Sequence, residues 1–470
     1  MTSFDFTPHA ARRAALAARM RALGGGIAVL PTAPEALRNR DTHYPYRHDS
    51  YFHYLSGFTE PEAVVVLLAG AGTKSILFCR PKHEEREIWD GFRFGPAAAA
   101  ARFGFDEAYA IEEFDSRIAA LLAGWPNLFY AMGFDAPFDT RMLTAINTVR
   151  NQVRTGHTPP AATIDVRALL DNMRLVKDAH EIALMRRAAA ISTEAHKRAM
   201  RATKPGRHEF EIDAELLHEF RRNGSEYPAY GSIVAAGASA CVLHYVANDA
   251  LMRDGDLLLI DAGCEWRGYA SDITRTFPVN GTFSGPQRDL YQIVLAAQAA
   301  AKAATRPGTP YNVPHEAAVK VLAQGMLDTG LLKGSLDAAL EQGNARSGGY
   351  FRFYMHRTGH WLGMDVHDAG PYKQSAAGTA ASGAAGASTG APAGASADPA
   401  AEMDWLPLQA GNMVTIEPGI YVRPADDVPK AFWNIGIRIE DDALVTAQGC
   451  EFITEECPRT IADIEALMRG

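Results

Sequence analysis

Apolar residues recur along the chain at two spacings, and each spacing predicts a different kind of element. Short continuous or alternating apolar runs, as in GIAVL, AVVVLLAG and KSILFCRP, predict β-strands in the first third of the chain. Apolar residues at i, i+3 and i+4 predict amphipathic helices in PHAARRAALAARMRAL, DAHEIALMRRAAAISTEAHKRAM and HEFEIDAELLHEFRRNG. The paired prolines of RTGHTPPAATID precede the second of these helices. We therefore predict a smaller α/β domain at residues 1–170 and a second domain at 171–470.

The second domain mixes helices with a strand-rich end. Helical patterns occupy 285–304 and 313–330, and strand patterns follow in NMVTIEPGIYV and WNIGIRIEDDALVT. This mixture predicts an α+β fold in which helices cover a largely antiparallel sheet. Residues 374–402 are almost entirely alanine, glycine and serine, so we interpret them as a flexible low-complexity insertion.

One stretch places two acids on apolar strands. In DLLLIDAGCEWRGYASDITRTF, the runs LLLI and ITRTF both predict strands, and CEWRGY predicts the turn of a hairpin. With the centre of the turn between Trp266 and Arg267, Asp261 and Asp272 would face each other across the ladder. Like charges directly opposed in this way are destabilising, so the pattern predicts a cation between them.

Three later motifs add further groups of the same kind. YMHRTGHWLGMDVHD contains His356, His360 and His367, VTIEPG contains Glu417, and GIRIED contains Glu440 with Arg438 on the same strand face. Taken singly, each has an ordinary structural explanation. Four carboxylates on apolar strands or beside glycine turns are costly to bury unless a cation pairs with them, and Arg438 and Arg275 are too few to do so. Two divalent metal ions would suffice, and oxygen-rich ligation with one imidazole suits Mn²⁺, Co²⁺ or Zn²⁺.

Composition and charge argue against a nucleic-acid-binding, membrane-spanning or secreted protein. The 470 residues are 47% hydrophobic and 21% charged, with a formal net charge of -9 and no basic tract, which argues against a nucleic-acid partner. No apolar run is long enough to predict a membrane span, and the N-terminal sequence does not have the pattern of a secretory signal. Five cysteines without a Cys-x-x-Cys pair are typical of reduced thiols, so we expect a cytoplasmic protein.

Along nearly its whole length the chain resembles the pita-bread metallopeptidases, and most closely the Xaa-Pro aminopeptidase (aminopeptidase P) family. The resemblance is carried by NRDTHYPYRHDSYFHYLSGFTEPEAVVVLL and EIWDG in the first domain, and by YPAYGSIVAAG, VLHY, LIDAGCEWRGYASDITRTFPVNG, HWLGMDVHD, TIEPGIY and GIRIEDD in the second. It implies a pita-bread catalytic domain preceded by a smaller α/β domain.

By position, the resemblance also implies the residues of the site. The metal ligands fall on Asp261, Asp272, His360, Glu417 and Glu440. Residues that face or support the substrate fall on His244, His356, His367, Arg438 and Tyr421, and in oligomeric relatives residues matching Asp41 and Trp89 come from a neighbouring subunit.

The implied activity is release of the N-terminal residue from peptides with proline in second position. A hydroxide bridging two divalent ions, most typically Mn²⁺ with Zn²⁺ or Co²⁺ as alternatives, would attack the carbonyl of the Xaa-Pro bond. Glu417 would transfer the proton, and His356 or His367 would bind the carbonyl oxygen. The resemblance further implies a homotetramer or homodimer.

Two other functions remain open at this point. A prolidase uses the same ligands on Xaa-Pro dipeptides, and the two activities differ in whether the pocket accepts residues beyond proline. A relative that keeps the fold for binding alone, without metal or catalysis, is disfavoured because all five ligand positions are intact.

Overall fold

A computed structural model describes residues 6–341, 349–375 and 403–470. Within these ranges the chain forms two compact units, which meet in sequence between Met173 and Arg174. Of the insertion predicted at 374–402, only Gln374 and Ser375 fall inside the described residues. None of the described helices is both long enough and apolar enough to cross a membrane.

The first unit is built on a mixed six-stranded sheet with the order β4-β3-β2-β1-β5-β6. Its strands are β1 (Gly26–Pro31), β2 (Val64–Ala69), β3 (Thr73–Cys79), β4 (Glu107–Ala110), β5 (Asn127–Phe129) and β6 (Ala162–Ile164). Its helices are α1 (Thr7–Ala22), α2 (Ser50–Ser56), α3 (Glu84–Asp90), α4 (Pro96–Phe103), α5 (Phe114–Leu122), α6 (Ala136–Arg150) and α7 (Arg167–Arg174). The β1–β2 and β2–β3 pairs are antiparallel, and the remaining pairs are parallel.

The second unit consists of several small antiparallel sheets and long helices. Its strands are β7 (Tyr227–Pro228), β8 (Ile233–Ala236), β9 (Leu257–Asp261), β10 (Cys264–Trp266), β11 (Tyr269–Ala270), β12 (Thr274–Pro278), β13 (Lys373–Ser375), β14 (Met403–Trp405), β15 (Met413–Ile416), β16 (Gly419–Val422), β17 (Ile435–Arg438), β18 (Asp441–Val445) and β19 (Cys450–Phe452). Its helices are α8 (Ala179–Ala202), α9 (Glu209–Arg222), α10 (Gly285–Ala304), α11 (Val313–Asp328), α12 (Leu336–Leu340) and α13 (Ile461–Arg469). The three-stranded sheets have the orders β11-β10-β7, β12-β9-β8 and β15-β18-β19, and β16 pairs with β17.

The long helices begin and pack as their sequences predict. Asp178 caps α8 through a capping box with Glu181, which satisfies backbone N–H groups in the first turn of that helix. The apolar faces of α8, α9, α10 and α11 join β8, β9 and β12 in one continuous core, in which side chains such as Leu258, Val294 and Leu322 are fully buried. This core gives the strands that carry the acidic residues a rigid support.

The hairpin between β9 and β12 has a different register from the one predicted. Asp261 pairs with Thr274, and not with Asp272. The reason is the turn, in which Arg267 and Gly268 are the two central residues with φ of 52° and 78°. Such a two-residue turn fixes the pairing by its own geometry and moves the centre of the hairpin one residue along the chain. Asp272 remains on the same face as Asp261, one pleat away, because the side-chain period of a strand is two.

Two predicted strands are interrupted where their acids lie. NMVTIEPGIYV divides into β15 and β16 in different sheets, with Glu417 at the break before Pro418, which has no N–H to donate to a ladder. WNIGIRIEDDALVT divides in the same way into β17 and β18, with Glu440 at the break. Both acids therefore lie where the chain passes from one sheet to another.

Candidate metal centre

The predicted residues of the second unit converge on one cavity of about 820 Å³. Those that line it are His244, Asp261, Asp272, His356, His360, His367, Glu417, Arg438 and Glu440. They come from separate strands and loops of a sequence span of almost two hundred residues. The structure thus brings together most of the site residues predicted from sequence.

Three of the predicted residues lie elsewhere. Tyr421 is fully buried, and its hydroxyl contacts His356 Nε2 at 2.7 Å and accepts a hydrogen bond from Arg438 Nη1 at 3.0 Å. That position favours an orienting role over direct contact with a substrate. Asp41 and Trp89 belong to the first unit, where Trp89 is 86% exposed on α3.

Asp272, His360 and Glu440 form the tightest group of possible metal ligands. Each offers a ligand atom, and these three atoms lie within 4.8 Å of one another. His360 Nε2 lies 3.5 Å from Asp272 Oδ2 and 3.8 Å from Glu417 Oε1. The remaining acid, Asp261, reaches this group through a tyrosine.

Tyr230 is a site residue that the sequence reasoning missed. Its hydroxyl lies 2.5 Å from Asp261 Oδ1 and also within hydrogen-bond distance of Asp272 Oδ1. A phenol has one hydrogen to donate, so it can satisfy only one of two ionised carboxylates. Its presence in the motif YPAYGSIVAAG was the available signal, but a tyrosine two residues after a proline predicts no particular chemistry.

Arg438 and Thr274 donate hydrogen bonds that orient Asp261 and Glu440. The Arg438 guanidinium is buried and donates to Asp261 Oδ2 at 2.6 Å and to Thr274 Oγ1 at 3.1 Å. Thr274 Oγ1 in turn donates to Glu440 Oε2 at 2.6 Å. Arg275, the other arginine considered as a counter-charge, is paired with Asp441 at 2.7 Å and makes no ion pair with the site acids in the described part of the chain. Among the described residues, Arg438 is therefore the one arginine that forms an ion pair with this cluster of four acids.

The electrostatics of the protein alone keep protons on this cluster. Burial, together with the neighbouring Asp272 and Glu417, raises the pKa of Glu440 well above its ordinary value. Burial also raises the pKa of Glu417, to about 7. Although burial opposes protonation of His360, its contact with Asp272 and the charge of Glu417 raise its pKa to about 9. Carboxylates that cannot all ionise, with one imidazole among them, form a donor set that fits divalent cations.

Binding of a divalent metal ion should therefore release protons. Without metal, the raised pKa values of Glu440, Glu417 and His360 favour their protonated forms, and each group must lose its proton to coordinate a cation. We expect Mn²⁺ added to metal-free protein at pH 7 to release at least about one proton per chain, with an affinity that rises from pH 6 to pH 8. Calorimetric titration in two buffers of different ionisation enthalpy measures the protons released. The same binding enthalpy in both buffers would contradict this expectation.

Comparison with known proteins agrees with this geometry. The model of metallopeptidase family M24 matches residues 183–447, and that of the aminopeptidase P N-terminal domain matches residues 9–130. The Xaa-Pro aminopeptidase of Escherichia coli (strain K12) is 40% identical over 459 residues, which cover 97% of this chain and 96% of that protein.

Solved structures give the same result. A structure of Pseudomonas aeruginosa aminopeptidase PepP superposes with a TM-score of 0.90 at 44% identity, covering 100% of this chain and 99% of that one. A variant of Escherichia coli aminopeptidase P in complex with substrate gives a TM-score of 0.89 at 39% identity, with 100% and 99% covered.

The fold and the acidic site thus define a metallopeptidase, and the chain belongs to metallopeptidase family M24. Within that family it is a metalloaminopeptidase that carries the aminopeptidase P N-terminal domain. The resemblance inferred from its motifs is confirmed. The predicted pita-bread catalytic domain preceded by a smaller α/β domain is confirmed as well.

Proposed function

We propose that this chain hydrolyses peptides with proline in second position, releasing the N-terminal residue, with two divalent metal ions bound at the cavity. The observation that carries the proposal is the convergence of four acids and His360 on a single cavity with one buried guanidinium among them. Relatives that span nearly all of the chain are Xaa-Pro aminopeptidases. Mn²⁺ is the metal we propose, because the ligand set is rich in oxygen.

Asp261, Asp272, His360, Glu417 and Glu440 would hold the metal ions. When bound, such ions lower the pKa of a water molecule and polarise the peptide carbonyl. Asp261 keeps its orientation through Arg438, and Glu440 keeps its orientation through Thr274. Because these supports are buried, the acids stay in place without reorganisation when a substrate enters.

Glu417 is the group best placed to exchange a proton. The Glu417 carboxylate lines the cavity beside the other proposed ligands, where it could take up a proton and return it while the ions are bound. Its Oε2 lies 3.6 Å from His356 Nδ1. Burial lowers the pKa of His356 to about 3, so this imidazole is neutral, and its one N–H, at Nδ1, donates to the Arg357 carbonyl. His367 and His244 line the same cavity, and we assign the hydrogen bond to the substrate carbonyl oxygen to His367.

The same cavity has groups that suit both residues on either side of the scissile bond, the N-terminal residue and the proline. The free amine of the substrate is a cation and is attracted by the acids. Apolar side chains of Ile233, Leu243, Val246 and Val366 also line the cavity and suit a proline ring, whose nitrogen has no N–H to donate in a peptide.

We also propose that the active protein is a homotetramer or homodimer in the cytoplasm. Helix α3 has no buried residue, and Ile88 and Trp89 are 80% and 86% exposed. Exposed apolar side chains of this size are typical of surfaces that another chain covers, which supports a role for Trp89 and Asp41 towards a neighbouring subunit. The five cysteines are all free, which agrees with a reducing compartment.

The decisive assay compares Gly-Pro-Ala with Gly-Pro on protein reconstituted with Mn²⁺. An aminopeptidase of the proposed kind releases glycine from the tripeptide at a higher kcat/KM than from the dipeptide, because its cavity accepts residues beyond proline. Preference for the dipeptide would replace the proposal with a prolidase. Gly-Ala-Ala, which lacks proline, serves as the control substrate and should be a poor one.

A further inference from the structure

The substrate cavity contains a second arginine that the proposed chemistry does not use. Arg357 lines the cavity beside His356 and His360 and is exposed to solvent. Within the described ranges its guanidinium has no hydrogen bond and no ion pair. The other arginine of the cavity, Arg438, is buried and already donates to Asp261. Arg357 is therefore the cation of the described cavity wall that is available to a ligand.

The backbone around Arg357 is fixed on both sides. His356 Nδ1 contacts the Arg357 carbonyl at 2.7 Å, and Tyr311 donates from its hydroxyl to the Gly359 carbonyl at 2.7 Å. A Cβ at Gly359 would lie 2.0 Å from the Thr415 carbonyl oxygen, so only glycine allows this close approach. The arginine side chain thus extends from a rigid stretch of chain between His356 and the proposed metal ligand His360.

An aromatic wall directs the guanidinium. Its Cζ lies 4.8 Å from the centroid of the Trp405 ring, a distance typical of a cation–π contact. Trp405, Tyr311 and Tyr372 line the same cavity, and the Tyr311 ring lies 6.2 Å from Trp405 and 4.8 Å from Tyr372. A guanidinium held against an indole keeps its N–H groups free at the edge, where they can bind the two oxygens of a carboxylate.

The charges that line the cavity favour one orientation of a bound peptide. The acids attract the free amine at one end of the substrate and repel any carboxylate. A carboxylate that follows the proline residue therefore needs a cation, and Arg357, which forms no ion pair with these acids within the described residues, is available. We propose that Arg357 is a specificity-determining residue that binds a substrate carboxylate located beyond the proline residue. This inference rests on the proposed function. It adds that the substrate carries a negative charge beyond the proline residue and that Arg357 binds this charge.

The first test compares a free C-terminus with a blocked one. Wild-type enzyme with Mn²⁺ should show a KM for Gly-Pro-Ala about fivefold to tenfold lower than for Gly-Pro-Ala-amide, a modest effect because the guanidinium is exposed. In Arg357→Gln this KM ratio should fall to about one, and Arg357→Lys should retain part of it. Lys373 also lies over the Trp405 ring, 4.5 Å away, but does not line the cavity, so Lys373→Met is the matched control and should keep the wild-type ratio. A ratio near one in wild-type enzyme, or an unchanged ratio in Arg357→Gln, would overturn the assignment.

Two further comparisons are needed. One distinguishes a C-terminal carboxylate from a side-chain carboxylate, and the other measures binding separately from hydrolysis. Gly-Pro-Glu-amide against Gly-Pro-Gln-amide places the charge on a side chain in place of the C-terminus. An Arg357-dependent preference in this pair, in addition to the first, shows that a side-chain carboxylate is bound as well, and its absence limits the assignment to the C-terminal carboxylate. The dipeptides Pro-Ala and Pro-Ala-amide, titrated into the Mn²⁺-loaded protein by calorimetry, measure binding without hydrolysis. If the tripeptides are not cleaved but Pro-Ala binds more tightly only when Arg357 is present, the proposed function fails and the role of Arg357 stands. Equal binding of both dipeptides to wild-type protein refutes that role.

Discussion

Replacing Glu440 with glutamine should lower kcat/KM for Gly-Pro-Ala by about a thousandfold or more, and the protein should lose most of its bound Mn²⁺. The change keeps the size of the side chain and leaves an oxygen that can accept from Thr274, which now donates to Glu440 Oε2 at 2.6 Å. It removes one negative charge from the group formed by Asp272, His360 and Glu440. Bound metal ions contribute several kcal/mol to such a reaction, and each 1.36 kcal/mol corresponds to a factor of ten in rate.

Elemental analysis beside the peptide assay separates loss of metal from loss of fold. A circular dichroism spectrum should be unchanged, because glutamine is neutral and burial of Glu440 already favours its neutral form in the metal-free protein. Glu456→Gln is the matched control, since Glu456 is exposed on the surface and should tolerate the change without effect. Full metal content and normal turnover in Glu440→Gln would contradict the proposed metal centre.

Replacing Arg275 with methionine should lower the free energy of unfolding of the second unit by about 3–5 kcal/mol. Arg275 and Asp441 form an ion pair at 2.7 Å, and both side chains are 0% exposed. The guanidinium also donates to the carbonyls of Glu440, at 2.5 Å, and Pro458, at 2.9 Å. Methionine fills much of the volume but leaves the buried Asp441 charge without the guanidinium that pairs with it and the two carbonyls without this donor. Such a loss costs far more than an intact pair contributes.

The matched control for this prediction is an ion pair of the same chemistry on the surface. Arg186 and Glu451 are paired with 48% and 45% of their side chains exposed, so Arg186→Met should cost less than about 1 kcal/mol. Calorimetric unfolding of the metal-free proteins measures both changes without a contribution from bound ions. A double replacement of Arg275 and Asp441 by methionine and leucine should recover part of the loss, because neither charge of the pair then remains. Similar losses in Arg275→Met and Arg186→Met would show that burial does not strengthen the pair.

Local patterns predicted many elements of this chain because the physics of those elements is itself local. The apolar period of 3.6 predicted helices at 285–304 and 313–330, and the structure has them at Gly285–Ala304 and Val313–Asp328. The run LLLI became part of β9, as expected for a short continuous apolar run in a strand that is covered on both faces. Burial patterns of this kind depend on neighbours within a few residues, which the sequence contains.

The register of the hairpin was not predictable from the same patterns. Shifting a ladder by two residues leaves every side chain on its original face, so the alternation of apolar and polar residues cannot distinguish the two registers. The left-handed backbone at Arg267 and Gly268 decided between them. Arginine is uncommon at positive φ, which explains why the predicted centre of the turn lay one residue away.

By itself, the sequence determined which residues would be chemically expensive to bury: acids set in apolar strands that need a cation. It also carried, in its motifs, the resemblance to metallopeptidase family M24 that the comparisons confirmed. Only the tertiary structure decided how these residues meet. Its contacts join residues that are distant in sequence. The Tyr230 hydroxyl contacts Asp261 and Asp272, the Arg438 guanidinium donates to Asp261, and the Arg357 guanidinium lies over the Trp405 ring. Such contacts depend on how separate strands and loops are brought together by one buried core, and no local period along the chain contains that information.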